Sequence, residues 1–471
     1  MRSSTRSRRA IAPPSAPFEV PCDGGLTGLT RDGEVLIGVL AVAAPPAAPV
    51  VAGVAAVPDA ALLPAVSAAL SARDAAPQSI DVVSHTMSRW PDGPAGHAYR
   101  GLLGGLSIAA HRSVHLVVRV RPSDFPDAVR LRGGPGAGSV RTTLWCLRRL
   151  QAHLTEAGVR SRPLAAAEII DLAASLTEGV PVSAADLGPT GLRHNGFPLT
   201  VYRWTGTTAQ ALSALLAMPT AVDSVSTTLT VRLAATADGP RLSVTVRDNG
   251  GPVRDRAADH GIALITDRPR SAAALGLPVP APPEPAGRGA SITAPQRLTP
   301  TQTAAIVAAT TVPLAGDGQL IGAADSGAPV TLRMAGPGVT HSHVVGDDLL
   351  ARQTVVRLAA LGVTVAVASD RPRYWEQLGA TIGGGLIRIA GTDPTARAVF
   401  DETRGGVRQA PPGSTLIRRH STADADPDDG APTIRAQQVP GLVEAAGGGI
   451  RVPVRVVSTA AERSLVDAVE T

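Results

Sequence analysis

Lysine is absent from this chain of 471 residues; all 44 basic side chains are arginine. The usual phosphate loop needs its lysine to neutralise phosphate, so that device is excluded at once. Aromatic residues make up only 2%. A nucleic-acid binder shows a basic stripe interleaved with aromatics on a folded element, and no such stripe occurs, so no nucleic-acid partner is expected. The net charge is only +5, and the excess gathers at the start in Arg2, Arg6, Arg8 and Arg9. Residues 1–17 read as a disordered, solvated tail, with contact to anionic lipid headgroups as another reading.

Cysteine is nearly absent too. Cys22 and Cys146 stand alone, in no CxxC or Cys/His cluster, which excludes zinc-ribbon and thioredoxin-type chemistry. Cys146 falls in an apolar helical pattern and reads as a small buried side chain; a reducing cytosol is the economical compartment. There is no GxSxG elbow and no HExxH helix. The basic start runs into PPSAPFEVP rather than an apolar signal core. Val35 to Pro58 is uncharged and long enough for a bilayer, but Pro45, Pro46, Pro49 and Pro58 interrupt it. It reads as a strand, a proline turn and a second segment.

What is present is 44% hydrophobic, enough for a core of Ala, Val and Leu across two or three domains. The Ala, Gly, Pro and Arg bias is that of a GC-rich bacterial genome. Strand-like runs (34–43, 80–85, 114–121, 199–204, 225–235, 241–247) alternate with helical ones (59–73, 139–158, 165–176, 207–217). The fold class expected is α/β. An α+β domain with a mixed sheet spans 18–267, and a Pro/Ala-rich linker with little packed structure spans 268–298. A Rossmann-like domain spans 299–471, with a largely parallel sheet of βαβ units. Its elements include a strand at 339–345, a helix at 347–361, a strand at 363–369, helices over 373–378 and from Pro394, and a last strand near 450–457.

Four patterns invite an enzyme reading. Gly133 and Gly138 have phosphate-loop spacing, but Ser139 and Val140 follow where Lys and Ser/Thr belong. The stretch 341–372 has the layout of a mononucleotide-binding strand, turn and helix, ending in Asp370. It looks like the core of RecA-like secretion and DNA-pump ATPases, yet its turn is reduced to Gly346-Asp347-Asp348. Two carboxylates there suit the helix dipole and cap, and repel phosphate. VTVRDNGGPV (244–253) with HGIAL (260–264) is similar to the adenine-contact box of histidine-kinase-type ATPases, but the helix before it carries neither the Glu nor the Asn that fold requires. His341 and His343 share one strand face, and His111 and His115 stand four apart; a metal site needs a third ligand, and no nearby carboxylate or Cys has an evident claim. No catalytic, cofactor-binding or metal-ligating residue is therefore assigned, and no cofactor.

The order of elements then carries more weight. SVHLVVRVRPSD, the helix with LRRLQAHLTEAGVRSRPL, AAEIIDL, HNGFPLTVYRW and the pair TTLTVRLAAT/RLSVTVRDNG together resemble the EccE family of type VII (ESX) secretion. The second domain, through VVGDDLLARQTVVRLAALGVTVAVASDRPRYWEQLGATIG, fits the same pattern, with Arg119, Gly346, Gly362 and Trp375 as anchors. The resemblance implies a non-catalytic structural subunit at the cytoplasmic face of the plasma membrane. Its implied partners are EccB, the motor ATPase EccC, EccD and the mycosin protease, with Arg148–Arg149 and Arg371–Arg373 as contact pairs. Family members carry two membrane-spanning helices ahead of the soluble part. Here MRSSTRSRR leads straight into the soluble region, so membrane contact is expected through the complex or through a missing N-terminal segment. The alternatives are a nucleotide-binding ATPase-like enzyme and a cytosolic scaffold unrelated to secretion.

Overall fold

The computed structural model describes residues 16–51, 59–71, 74–87, 93–106, 108–179, 182, 186–188, 191–194, 197–218, 224–250, 261–265, 269–279, 298–389, 393, 395–407, 409–411, 413–421, 427 and 429–467. Most of the 1–17 tail, and 280–297 of the expected linker, lie outside that set. The chain is of the α/β class, built on two sheets.

The first sheet has 12 strands. β1 to β3 (Phe18–Cys22, Gly25–Asp32, Val35–Val42) form a meander. β6 (His111–Val120) and β5 (Ser79–Met87) continue it, then β11 (Ser226–Ala234), β12 (Arg241–Asn249) and β10 (Phe197–Trp204). β9 (Gly191–His194) and β8 (Asp186–Gly188) end the row; β7 (Ser161–Pro163) pairs with β3, and β13 (Ile262–Leu264) with β10. Among the described residues every pairing in this sheet is antiparallel, not mixed as expected. Tight hairpins such as β1–β2 and β2–β3 leave no room for the crossovers that parallel pairing needs.

Both faces are covered. Leu40 and Val42 of β3 point into one core; Ile37 and Val39 point into the other. That alternation explains why the strand reads as one continuous apolar run. On the first face lie α1 (Leu62–Ala69), α4 (Ala137–Glu156) and α6 (Ala209–Ala217), with α3 (Pro126–Leu131) against α4. On the second lie α5 (Ala166–Leu176) and α7 (Pro269–Ala273). α7 falls in the stretch expected to lack packed structure. Arg247 is the reason it packs: its guanidinium donates to Ala273 O (2.5 Å) and to Leu176 O (2.6 Å). Ala272, Ala273, Ala274 and Leu277 are buried there.

The second sheet has 11 strands. Its parallel half runs β18 (Ile387–Ile389), β17 (Val365–Ala368), β19 (Ala398–Asp401), β20 (Thr415–His420), β16 (His341–Val345) and β21 (Thr433–Ala436). Pro394, where a helix is expected to begin, lies outside the described residues, and β19 follows at Ala398. The antiparallel half runs β22 (Leu442–Gly447), β23 (Ile450–Val456), β14 (Gln319–Ala323), β15 (Pro329–Leu332) and β4 (Val50–Val51). The Rossmann-like, largely parallel expectation is met only in part. β16 does lead through α9 (Asp348–Ala360) to the parallel strand β17, with β20 and β19 between them. But α2 (Pro94–Leu103), α9, α10 (Pro372–Ile382) and α11 (Ala460–Asp467) share a single core with the face carrying Val344, Val367, Phe400 and Ile417. The opposite face holds a small cluster, Ala366, Val399 and Leu416, under the loop residues Ala396, Val407 and Ala410.

The sheets exchange elements. α2 packs on α9 and α11, and Leu320 N donates to the Tyr99 hydroxyl at 2.8 Å. β4 extends the second sheet through Val330↔Val51. In return α8 (Pro300–Ala309) packs on α1 and α6, burying Ile306 and Val307 in the first core. Among the described residues no helix is long and apolar enough to cross a membrane.

Candidate functional site: a crest closed by ion pairs

In parallel α/β sheets, ligands bind beyond the carboxyl ends of the strands. Here that crest is made by the ends of β16, β17, β19 and β20. The turn from β16 to α9 is tight: Gly346 N donates to His420 O at 3.1 Å, and a Cβ at Gly346 would come within 3.0–3.1 Å of the Leu350 and Ala436 side chains. Asp347 caps the helix by accepting from Leu350 N at 3.0 Å, as its position in the sequence leads one to expect.

Asp348, in the first turn, faces two arginines. Arg371, just past β17, donates to it at 2.6 and 3.1 Å; Arg419, from β20, at 2.6 Å. Both arginines also reach Glu402, just past β19, at 3.1 Å from Arg371 and 2.9 Å from Arg419. Four charges thus alternate around a ring. Glu402 takes two further bonds, from Trp375 Nε1 at 2.8 Å and from Ser369 Oγ. Trp375 is fully buried and leans on Phe400 with ring centres 5.2 Å apart. Hydrogen bonding to Arg371 holds the Asp348 carboxyl below its usual range and raises the Arg371 guanidinium. Burial alone would raise the Glu402 carboxyl; its hydrogen bonds overcome that and lower it.

The surrounding concavity is lined by Asp348, Asp370 and Glu402 against Arg371, Arg404 and Arg419. Acids and bases match in number. A phosphate would meet the Asp348 carboxylate at the helix N-terminus, where backbone N–H groups should greet it. Both ring arginines already serve two carboxylates. The site has the frame of a nucleotide crest with its charge satisfied internally.

The other sequence patterns resolve into packing. Gly138 sits where a Cβ would be 2.0 Å from Val129 O, so these glycines let α4 start close against α3. At the end of β12, Asp248 accepts from Ser224 (2.8 Å) and Thr227 (2.9 Å), and Asn249 donates to Glu178 (2.9 Å). Those side chains tie the end of β12 to the start of β11 and to the chain just after α5. His111 and His115 lie on one face of β6 and, with His85, line a cleft of about 690 Å³ between the two sheets. Arg371 of the expected contact pair is committed to the ring. Arg148 pairs with Asp23 at 2.5 Å, and Arg149 lies over the Trp145 ring. His341 and His343 do meet a carboxylate, that of Asp429, against the expectation of no third ligand. Sequence reading missed it because Asp429 lies 86 residues beyond His343 and arrives only through parallel pairing of β16 with β21.

Comparison with known proteins adds one finding. Residues 108–204 match the family described as "Putative type VII ESX secretion system translocon, EccE". That stretch is similar to the EccE family. It runs from β6 through α4 and α5 to β10; the β11–β12 pair and the second domain, which also carry the resemblance, lie outside it. No curated protein matches the chain.

Proposed function

We propose that this chain is a non-catalytic structural subunit of a type VII (ESX) secretion complex, held at the cytoplasmic face of the membrane. The observation that carries this reading is the closed ring Asp348–Arg371–Glu402–Arg419. It occupies the place where a secretion ATPase of similar layout would hold phosphate. The EccE match over 108–204 supports a place in that machinery. A sheet can outlast the site it once framed and remain as a docking surface. In this reading two units, 18–267 and 299–471, act together, and the partners are the other core components, EccB, EccC, EccD and the mycosin protease.

The test is co-purification. The full chain, tagged and expressed in its own host, is recovered from gently solubilised membranes. The expected outcome is enrichment of the motor ATPase and EccD with the tagged chain. Recovery solely from the soluble fraction, without secretion components, would contradict the proposal.

A further inference from the structure

The thinly covered face of the second sheet carries a cluster that assembly does not explain. His341 and His343 are alternate residues of β16, so their rings leave the same face. Asp429 stands just ahead of β21. Its Oδ2 lies 3.0 Å from His341 Nε2 and 3.0 Å from His343 Nε2. All three ligand atoms fall within 4.8 Å of one another. Each ring is held from behind: His343 Nδ1 is 3.0 Å from His420 Nε2, and His341 Nδ1 is 3.0 Å from Thr340 Oγ1.

One carboxylate oxygen facing two imidazole nitrogens needs a positive centre at each contact, either a proton or a metal. A single divalent ion would satisfy all three atoms at once. Two imidazoles and a carboxylate are a donor set for zinc and its first-row neighbours. A ligating imidazole whose second nitrogen is fixed by a hydrogen bond is the usual supporting arrangement, and both rings have one. His343 is 2% exposed while His341 and Asp429 are 41% and 43% exposed. The cluster is therefore anchored at its base and open to solvent on one side.

We propose that His341 Nε2, His343 Nε2 and the Asp429 carboxylate form a three-ligand site for a divalent transition ion of the zinc class, with its remaining position open to water. Two ligands belong to β16 and one to the segment leading into β21. The ion would therefore clip the chain at Asp429, just ahead of β21, to the face of the sheet that the helices do not share. This inference stands apart from the secretion role, since it concerns none of the ring residues.

The test uses the untagged full chain, stripped with chelator and titrated calorimetrically with Zn²⁺, then with Co²⁺ while visible absorption is followed. The expected result is one ion per chain and Co²⁺ bands of a four- or five-coordinate site. His341→Ala and Asp429→Asn should each weaken binding by about 100-fold or more, and His420→Ala by about 10–100-fold. His97→Ala, an exposed histidine on α2, should leave it unchanged. Because His341 and Asp429 are partly exposed, their variants should keep the melting temperature of the metal-free parent, which separates loss of the site from loss of the fold. Absence of a stoichiometric ion, or binding that survives both His341→Ala and Asp429→Asn, would overturn the proposal.

Discussion

His85 is 4% exposed, and its Nδ1 lies 2.9 Å from Thr228 Oγ1. Burial first, then the nearby Arg247 guanidinium, pushes its imidazole down to about 3 from an ordinary 6.5. The unfolded chain therefore takes up a proton that the folded chain refuses. Stability should fall as pH drops from about 6.5 towards 3, by at most about 1.4 kcal/mol per pH unit for this one group. Thermal melts across that range should show the loss, and His85→Gln should flatten it; a slope unchanged by the substitution would refute the assignment. At the same scale Arg119 gains a physical role. With Arg232 it flanks Asp81, which is fully buried; Arg232 approaches at 2.6 and 2.8 Å. Burial would raise the Asp81 carboxyl, but the charges of Arg119 and Arg232 and their hydrogen bonds hold it low. A triad spanning β6, β5 and β11 pins their register, which is what an anchor residue in the middle of a sheet can do.

Among the elements, α11 is secured by one ion pair. Arg357 of α9 meets Glu462 at 2.6 Å with both side chains under 5% exposed, and it also donates to Leu320 O, Ile321 O and Val457 O. Glu462→Ala leaves a buried cation with its carboxylate partner gone, and should cost about 3–5 kcal/mol. Chemical denaturation measures that loss directly, and a change below 1 kcal/mol would show the pair to be dispensable. Legibility in the sequence follows from how local each element's support is. α4 and α9 were visible because their apolar spacing and their stops (Gly158 and Gly362, both at positive φ) lie within the segment. α2 was not: PAGHAYRGLL buries Ala95, Gly96, Ala98, Tyr99 and Leu103, a face built largely of small residues and glycine rather than of Leu and Val. α7 was hidden by prolines and depends on Arg247 from a distant strand. At the crest, the capping role of Asp347 was readable from its place before the helix. The ring was not, because Glu402 and Arg419 join Asp348 and Arg371 only once β19 and β20 stand between β16 and β17.

For the molecule as a whole, the exchange of α2, β4 and α8 between the sheets has a mechanical consequence. Cutting the chain between 280 and 297 should not release two halves. A protease site engineered there, cleaved under native conditions, should leave fragments that elute together by size exclusion, because Tyr99 and Val51 bind the second sheet while Ile306 and Val307 bind the first core. Separate elution would show that the exchanged elements contribute little. Such interlocking suits a part that transmits position rather than one that opens and closes around a substrate.

Whether the crest is closed by its own charges is decided by calorimetric titration of the purified full chain with ATP and Mg²⁺, followed by an assay of phosphate release. No binding heat above dilution and no turnover are expected. Saturable binding that is lost when Gly346 or Asp348 is substituted, or release of phosphate, would contradict that closure.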